Sequence, residues 1–385
     1  MYKRLINIDL PENQSAFLWG ARKTGKSTYL KTRFKESIYI DMLLSDTYIK
    51  YLRAPERLRE ELSAIGSENI KGPVIIDEVQ KIPQILDEVH WLIENRGISF
   101  ILSGSSARKL KRGKANLLGG RAWRYLMLPL TSKEIGEFRL LEVLNNGLIP
   151  SHYLNVNFRK SLKAYIQDYL KEEIFDEALT RNIPAFLRFF ESMGYSHGEL
   201  TNYSNIAREC GVNEKTVKEY YQILIDTLIG TNLEPYKKRQ ERQVIQKAGK
   251  FYLFDVGVAG AITKRRIEEE RGELFGKALE HFIFMELNAY RHYNEYDYEI
   301  NFWRPKTGME VDFVLNSGEI AIEVKGSSNV SKQDLKGLNA FYEIHKPRKS
   351  ILVCNEKIPR VVGKVEILPV REFLVRLWEG GIISL

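Results

Sequence analysis

In the N-terminal third of the chain, short runs of consecutive apolar residues alternate with segments whose apolar positions recur every three to four residues. That is the pattern of buried parallel strands separated by helices. Residues 16–20 and 38–42 predict strands, each followed by a helical stretch. Two further apolar runs, 74–76 and 100–102, end in polar groups, with a helical stretch over 85–95 between them. Residues 126–130 predict the last strand before a turn-rich join at 145–151. From 158 to 230 the pattern is mostly helical, the apolar spacing in SLKAYIQDYLKEEIF and IPAFLRFFESM following the 3.6-residue period. After Phe251 it changes to short strands around a helix over 273–290, then a hairpin, a helix near 331–344 and a strand over 350–354. No internal repeat or low-complexity tract is present, and 385 residues are long for one core. The expectation is three domains, 1–145, 146–250 and 251–385.

The 44% hydrophobic and 28% charged residues are an ordinary globular balance that argues against disorder. No apolar run approaches the roughly 18 residues that span a bilayer. MYKRLINIDLPENQ has neither the apolar stretch nor the small-residue cleavage site of a signal peptide. Cys210 and Cys354 lack metal-type spacing and fit buried thiols in a reduced cytoplasm. No membrane partner is expected.

The motif GARKTGKS, residues 20–27, has G-x-x-x-x-G-K-S spacing after an apolar strand and before a helix. Its glycines let the backbone N–H groups curl towards phosphate, and the helix N-terminus adds the positive end of its dipole. Gly20, Ala21, Arg22, Lys23, Thr24, Gly25, Lys26, Ser27 and Thr28 are the expected ATP-binding residues. Lys26 is placed for the β- and γ-phosphates and Ser27 for Mg2+. PVIIDE, residues 73–78, puts Asp77 at the C-terminal end of a buried strand, the edge where open α/β sheets place ligand groups. Asp77 is expected to hold the magnesium shell and Glu78 to polarise the attacking water. In FILSGSS, residues 100–106, Ser103 or Ser105 is either a γ-phosphate sensor or part of a strand-end turn. Arg121 is either a cation for transition-state charge or a surface arginine beside a glycine turn.

The Lys and Arg residues number 58 against 50 Asp and Glu, a formal net charge of +8. The excess is concentrated. Residues 107–124 hold seven basic residues and no acidic one, and residues 237–250 hold six and one. Each run is either a nucleic-acid contact, DNA before RNA, or a solvated face. Residues 202–229 predict two short amphipathic helices around Gly211, with Asn213 capping the second. TNLEPY and FYLF can pair as a wing around the second basic run. Lys215 and Lys218 in the second helix are mixed with Glu214 and Glu219, which suits a lid or protein contact as well as DNA.

Residues 309–325, MEVDFVLNSGEIAIEVK, predict two strands joined at Asn316–Gly318. Glu323 and Lys325 share a strand face, Asp312 lies on the adjacent strand, and Glu280 lies in the preceding helix. Carboxylates that hold Mg2+ or Mn2+ beside a lysine are what a metal-dependent phosphodiesterase requires. The other reading is a charged sheet edge. The expected metal ligands here are Asp312 and Glu323, with Glu280 and Lys325 completing the catalytic set.

With these residues in hand, the chain resembles a widespread prokaryotic family that joins an AAA-type or STAND-like P-loop ATPase to a winged helix and a C-terminal PD-(D/E)XK nuclease-like domain of unassigned function. The likeness rests on GARKTGKS, IIDEVQKIP, FILSGSSARKL, LLGGRAWRYLMLPLTSKE, KFYLFDVGV, GELFGKALEHFIFMEL, WRPKTGMEVDFVL and IAIEVKGS. It implies an α/β fold: a P-loop NTPase with a parallel sheet, a helical winged-helix region and an α/β restriction-nuclease-like C-terminal domain. By position it assigns Lys26, Ser27 and Asp77 to ATP and magnesium, Glu78 to catalysis, and Glu280, Asp312, Glu323 and Lys325 to the nuclease motif. Val311 stands where that motif has proline. The implied function is an ATPase whose nucleotide state controls nucleic-acid processing. The alternative is an ATP-switched binding protein with a non-catalytic third domain, and self-association is compatible with either.

Overall fold

The structure, a computed structural model, describes residues 2–106, 118–170, 182–237, 248–306 and 308–383, with the side chains of 168–170 left out. Its first sheet is built from β1 (Ser15–Trp19), β2 (Tyr39–Asp41), β3 (Val74–Asp77), β4 (Phe100–Gly104) and β5 (Ala122–Leu126) in the order β2-β3-β4-β1-β5. Every pairing is parallel. β1, β3 and β4 are buried along their whole length, which is why they read as unbroken apolar runs and not as alternation. Because all five strands run the same way, Trp19, Asp77 and Gly104 end at one edge of the sheet. β4 lies between β1 and β3.

Helices over Phe158–Ala164, Ile183–Tyr195, Tyr203–Cys210 and Glu214–Asp226 follow. Their core is aromatic, with Phe186, Phe189, Tyr220, Tyr221 and Phe251 packed at ring distances of 4.9–5.4 Å. The Asn213 side chain accepts the Thr216 amide at 2.8 Å and starts the second helix of the pair around Gly211. β6 (Gly230–Leu233) and β7 (Lys250–Leu253) then form an antiparallel ladder, with the Leu233↔Lys250 pair at the end nearest the connecting segment. This ladder runs across the expected boundary at 250. The helix Val256–Ile262 packs back on Leu140–Asn146.

The long helix Glu273–Tyr293 leads into a six-stranded mixed sheet of β8 (Ile300–Trp303), β9 (Val311–Leu315), β10 (Ile320–Val324), β11 (Lys349–Cys354), β12 (Arg360–Val362) and β13 (Val365–Pro369), in the order β12-β13-β11-β10-β9-β8. The β9–β10 turn sits at Asn316, Ser317 and Gly318, all at positive φ. A Cβ on Gly318 would collide with the Tyr236 hydroxyl, which donates to the Ser317 carbonyl at 2.9 Å, so glycine is required there. No helix among the described residues is long and apolar enough to cross a membrane.

Candidate functional site

The chain leaves β1 at Trp19 and turns through Lys23 (φ 64°) and Gly25 (φ 101°) into the helix Lys26–Arg33. Gly20 passes so close to the Met127 carbonyl that any side chain would strike it. The Thr24 hydroxyl donates to the Ala21 carbonyl at 2.8 Å and holds the turn. Lys26 is 5% exposed and its ammonium donates to the Gly20 and Ala21 carbonyls at 2.7 and 3.2 Å. The loop thus encloses a cation at a helix N-terminus, the arrangement that receives phosphate.

Asp77 is buried at the end of β3, and its carboxylate accepts hydrogen bonds from the Ser103 hydroxyl and from Tyr39 at 2.5 Å. The Ser27 side chain lies beside the same hydroxyl and acts to lower its pKa. Burial first, and the Asp77 carboxylate second, push this phenol far above its ordinary range. Ser27 and Asp77, two expected magnesium residues from different motifs, thereby lie near the same hydroxyl. Tyr39 carries no motif signal and was invisible in the sequence.

Glu78 adopts the left-handed conformation, φ 59° and ψ 44°, which places it just past the strand end. Its carboxylate accepts a hydrogen bond from the Gln80 amide at 2.5 Å, and the same amide donates to the Ser105 hydroxyl at 3.1 Å. Of the two serines in FILSGSS, Ser103 therefore orients Asp77 while Ser105 anchors Gln80. Beside the loop lies a cleft of about 820 Å3 walled by Tyr2, Ile6, Gly25, Thr28, Tyr29 and Thr32. Its size and mixed walls suit the base and sugar of a nucleotide.

One expectation is corrected. Arg121 precedes β5, whose Ala122 is level with Ser15 at the start of β1. Arg121 thus lies at the edge opposite the phosphate loop and pairs with the half-exposed Glu94. It cannot reach phosphate bound by its own chain. Most of the two basic runs, 107–117 and 238–247, lies outside the described residues.

The C-terminal acids do gather. Continuing the Ile322↔Phe313 register by one residue sets Glu323 opposite Asp312, and both are buried. The Asp312 carboxylate accepts the Val324 amide at 2.8 Å, and the Lys325 ammonium donates to Glu323 at 2.5 Å. Burial, followed by Glu323 and Glu280, raises Asp312 well above the carboxylate range. Burial likewise lifts Glu323 to about 7 against the opposing pull of Lys325. Burial disfavours the Lys325 ammonium, but Glu323 and Asp312 outweigh it and carry its pKa upward.

The sequence reading missed Lys250. Its ammonium, 3% exposed, lies 3.2 Å from Glu280, 2.5 Å from Glu310 and 3.8 Å from Asp312. Tyr252, also on β7, donates to Glu280. The carboxylates are consequently shared out between two lysines. Among the described residues no three His, Cys, Asp or Glu side chains are grouped to hold a metal ion. Asp312 and Glu323 face each other on adjacent strands, with Lys250 and Lys325 as their cation partners.

Three family models match the chain in succession. Residues 12–136 match an AAA domain, residues 138–269 a domain of unknown function (DUF8612), and residues 275–373 another domain of unknown function (DUF4143). Uncharacterised proteins of Mycobacterium tuberculosis and Mycobacterium bovis are each 25% identical over 288 residues, which cover 71% of this chain and 63% of theirs. An uncharacterised protein of Methanocaldococcus jannaschii is 28% identical over 174 residues, 44% of this chain and 37% of its own length. Among solved structures, a Walker-type ATPase of Pyrococcus abyssi aligns over 64% of this chain and 90% of its own, at 16% identity and a TM-score of 0.44. Residues 12–136 thus match an AAA domain, and their parallel α/β sheet is consistent with a P-loop ATPase.

Proposed function

We propose that this chain is an ATP-hydrolysing switch whose nucleotide state acts on its C-terminal domain. The supporting observation is Arg4. One guanidinium nitrogen donates to the Thr24 carbonyl inside the phosphate loop at 2.5 Å, and another donates to the Tyr293 hydroxyl at 3.0 Å. Tyr293 is the last residue of the helix that carries Glu280. Thirteen residues at about 1.5 Å each put the two groups roughly 20 Å apart along one rigid element.

In this reading Lys26 exchanges the Gly20 and Ala21 carbonyls for the β- and γ-phosphates. Ser27 and Asp77 hold the magnesium that accompanies the nucleotide and neutralises phosphate charge. Glu78, steadied by Gln80, orients the water. The helices around Gly211 with the β6–β7 ladder serve as a winged helix, and the C-terminal domain is nuclease-like with a nucleic acid, DNA before RNA, as its partner. A cytoplasmic setting fits this assignment. A second reading, in which the C-terminal domain binds and does not cleave, is favoured by one observation: Lys250 and Lys325 already pair the acids.

Hydrogen exchange tests the switch. Adding ATP and Mg2+ to the full chain should slow exchange of amides 286–293 as well as those of the loop, and Lys26→Ala should remove both effects. Protection confined to the AAA domain would leave an ATPase without this coupling.

A further inference from the structure

We infer that Lys250 is an internal counter-ion that closes the C-terminal acidic cluster, so that a divalent cation enters only when strand β7 withdraws. The inference rests on the nuclease-like reading of the C-terminal domain and supplies its regulation. Lys250 does not belong to the sheet that carries Asp312 and Glu323. It is the first residue of β7, which pairs with β6 and has an isolated bridge from Lys250 to Leu200. The cluster is therefore completed by a residue from a second sheet.

Charge fixes what the lysine does. Glu280, Glu310, Asp312 and Glu323 are four carboxylates; Lys325 pairs with Glu323 and Arg304 with Glu310 at 2.9 Å. Fully ionised and without Lys250, the acids would exceed these partners by two charges, the charge of one divalent ion. With Lys250 in contact with three of them, the excess falls to one. A second observation points to an unfilled ligand position: the buried Glu323 Oε2 has no hydrogen-bond partner, although Oε1 is held by Lys325. A buried carboxylate oxygen without a donor is costly unless a cation is available to it.

β7 is fastened where it lies. His281 donates from Nε2 to the Leu253 carbonyl at 2.7 Å and meets His197 at 2.9 Å, while His197 Nδ1 accepts the Leu253 amide at 3.2 Å. The Tyr252 hydroxyl is bonded to Glu280 itself. The strand that carries the counter-ion is thus locked to the helix that carries one of the acids, and that helix ends at Arg4 beside the phosphate loop.

The test counts Mn2+ bound to the nucleotide-free full chain by electron paramagnetic resonance. Lys250→Gln should gain one Mn2+ at least tenfold tighter than any in the parent, and adding Asp312→Asn should abolish it. Lys250→Arg, which keeps the cation, should bind like the parent. Tyr252→Phe keeps Lys250 but loosens β7, so it should give an intermediate gain; it also serves if Lys250→Gln does not fold. A parent chain that already binds Mn2+ through Asp312 as tightly as Lys250→Gln would overturn the closure yet leave the metal site standing. A folded Lys250→Gln chain, or in its place Tyr252→Phe, that gains no Mn2+ would overturn both the closure and the metal reading.

Discussion

Arg4 and Tyr293, 289 positions apart in sequence, are hydrogen-bonded at 3.0 Å through the guanidinium and the phenol. The same guanidinium donates to Thr24, Leu128 and Glu134. One buried side chain thereby ties together the phosphate loop, the capped helix Ser132–Ile135 and the end of Glu273–Tyr293. Its ion pair with Glu134 is almost wholly out of water, the two side chains being 7% and 0% exposed. None of the members of this junction can shift without unpairing another, which is what the proposed switch requires.

Arg4→Ala strands the Glu134 carboxylate in the interior and should cost about 3–5 kcal/mol, as broken buried pairs do. Tyr293→Phe removes a single hydroxyl and should cost only about 1 kcal/mol. Urea unfolding separates the two. Tyr293→Phe should also bind ATP normally but lose the nucleotide-dependent protection of 286–293. If that protection survives, the bond is structural and another contact carries the coupling.

The residues legible in the sequence were those whose chemistry is written locally. The phosphate loop and the Asp77–Glu78 pair announce themselves by spacing, Asn316–Gly318 by turn composition, and Asn213 by its place before a helix. Lys250 was read as the end of a basic run, since its acidic partners lie 30 to 62 residues further on and only the fold brings them near. Arg121 was left between two readings because its neighbours say nothing about which edge of a parallel sheet a strand begins at. The boundary at 250 was drawn where the apolar pattern changes, and the β6–β7 ladder pairs two short strands on either side of it whose pattern could serve either unit. Tyr39, Gln80 and Arg4 have no motif at all, and their roles exist only as contacts.

Lys26→Ala should weaken ATP binding by on the order of 100-fold, because the loop loses a buried, charge-assisted donor to phosphate. Isothermal titration at fixed Mg2+ reads this directly. The fold should survive, since the Gly20 and Ala21 carbonyls that the lysine meets lie in a loop that can turn to water. Affinity within threefold of the parent would remove Lys26 from the phosphate site.

The His197–His281 pair should make the chain acid-sensitive. Burial holds His281 down to about 3 and His197 well below the ordinary imidazole value, and each ring uses both nitrogens while neutral. A folded pKa below the unfolded one means that the unfolded state binds more protons. Stability is therefore fully present above about pH 6.5 and falls as pH drops towards 3. At pH 5 the contribution lost from His281 is about 2 kcal/mol. The unfolding free energy from urea titration should change between pH 7.5 and 5 by that much less in His281→Gln than in the parent. An equal pH dependence in both would show that this imidazole titrates normally.

Gln80 should matter to turnover and not to nucleotide binding. Its amide lies between Glu78 and Ser105, so it fixes the carboxylate at the end of β3 relative to the end of β4. Glu78 also holds an unfavourable left-handed backbone, which keeps its side chain beyond the strand. Glu78→Gln should retain ATP binding and lose turnover by about 100-fold or more, the range that a positioned base supplies. Gln80→Ala leaves the carboxylate in place but free to rotate, and should cost roughly tenfold in kcat with little change in KM. Gly104 provides an independent route to the same outcome, because a Cβ there would strike the Gln80 carbonyl oxygen and Trp19. Gly104→Ala should therefore reproduce the Gln80→Ala defect, and combining the two should cost little more than either alone. Parental kcat in Gln80→Ala would show that Glu78 needs no such support. A full additive loss in the double variant would show that Gly104 acts through Trp19 and the strand instead.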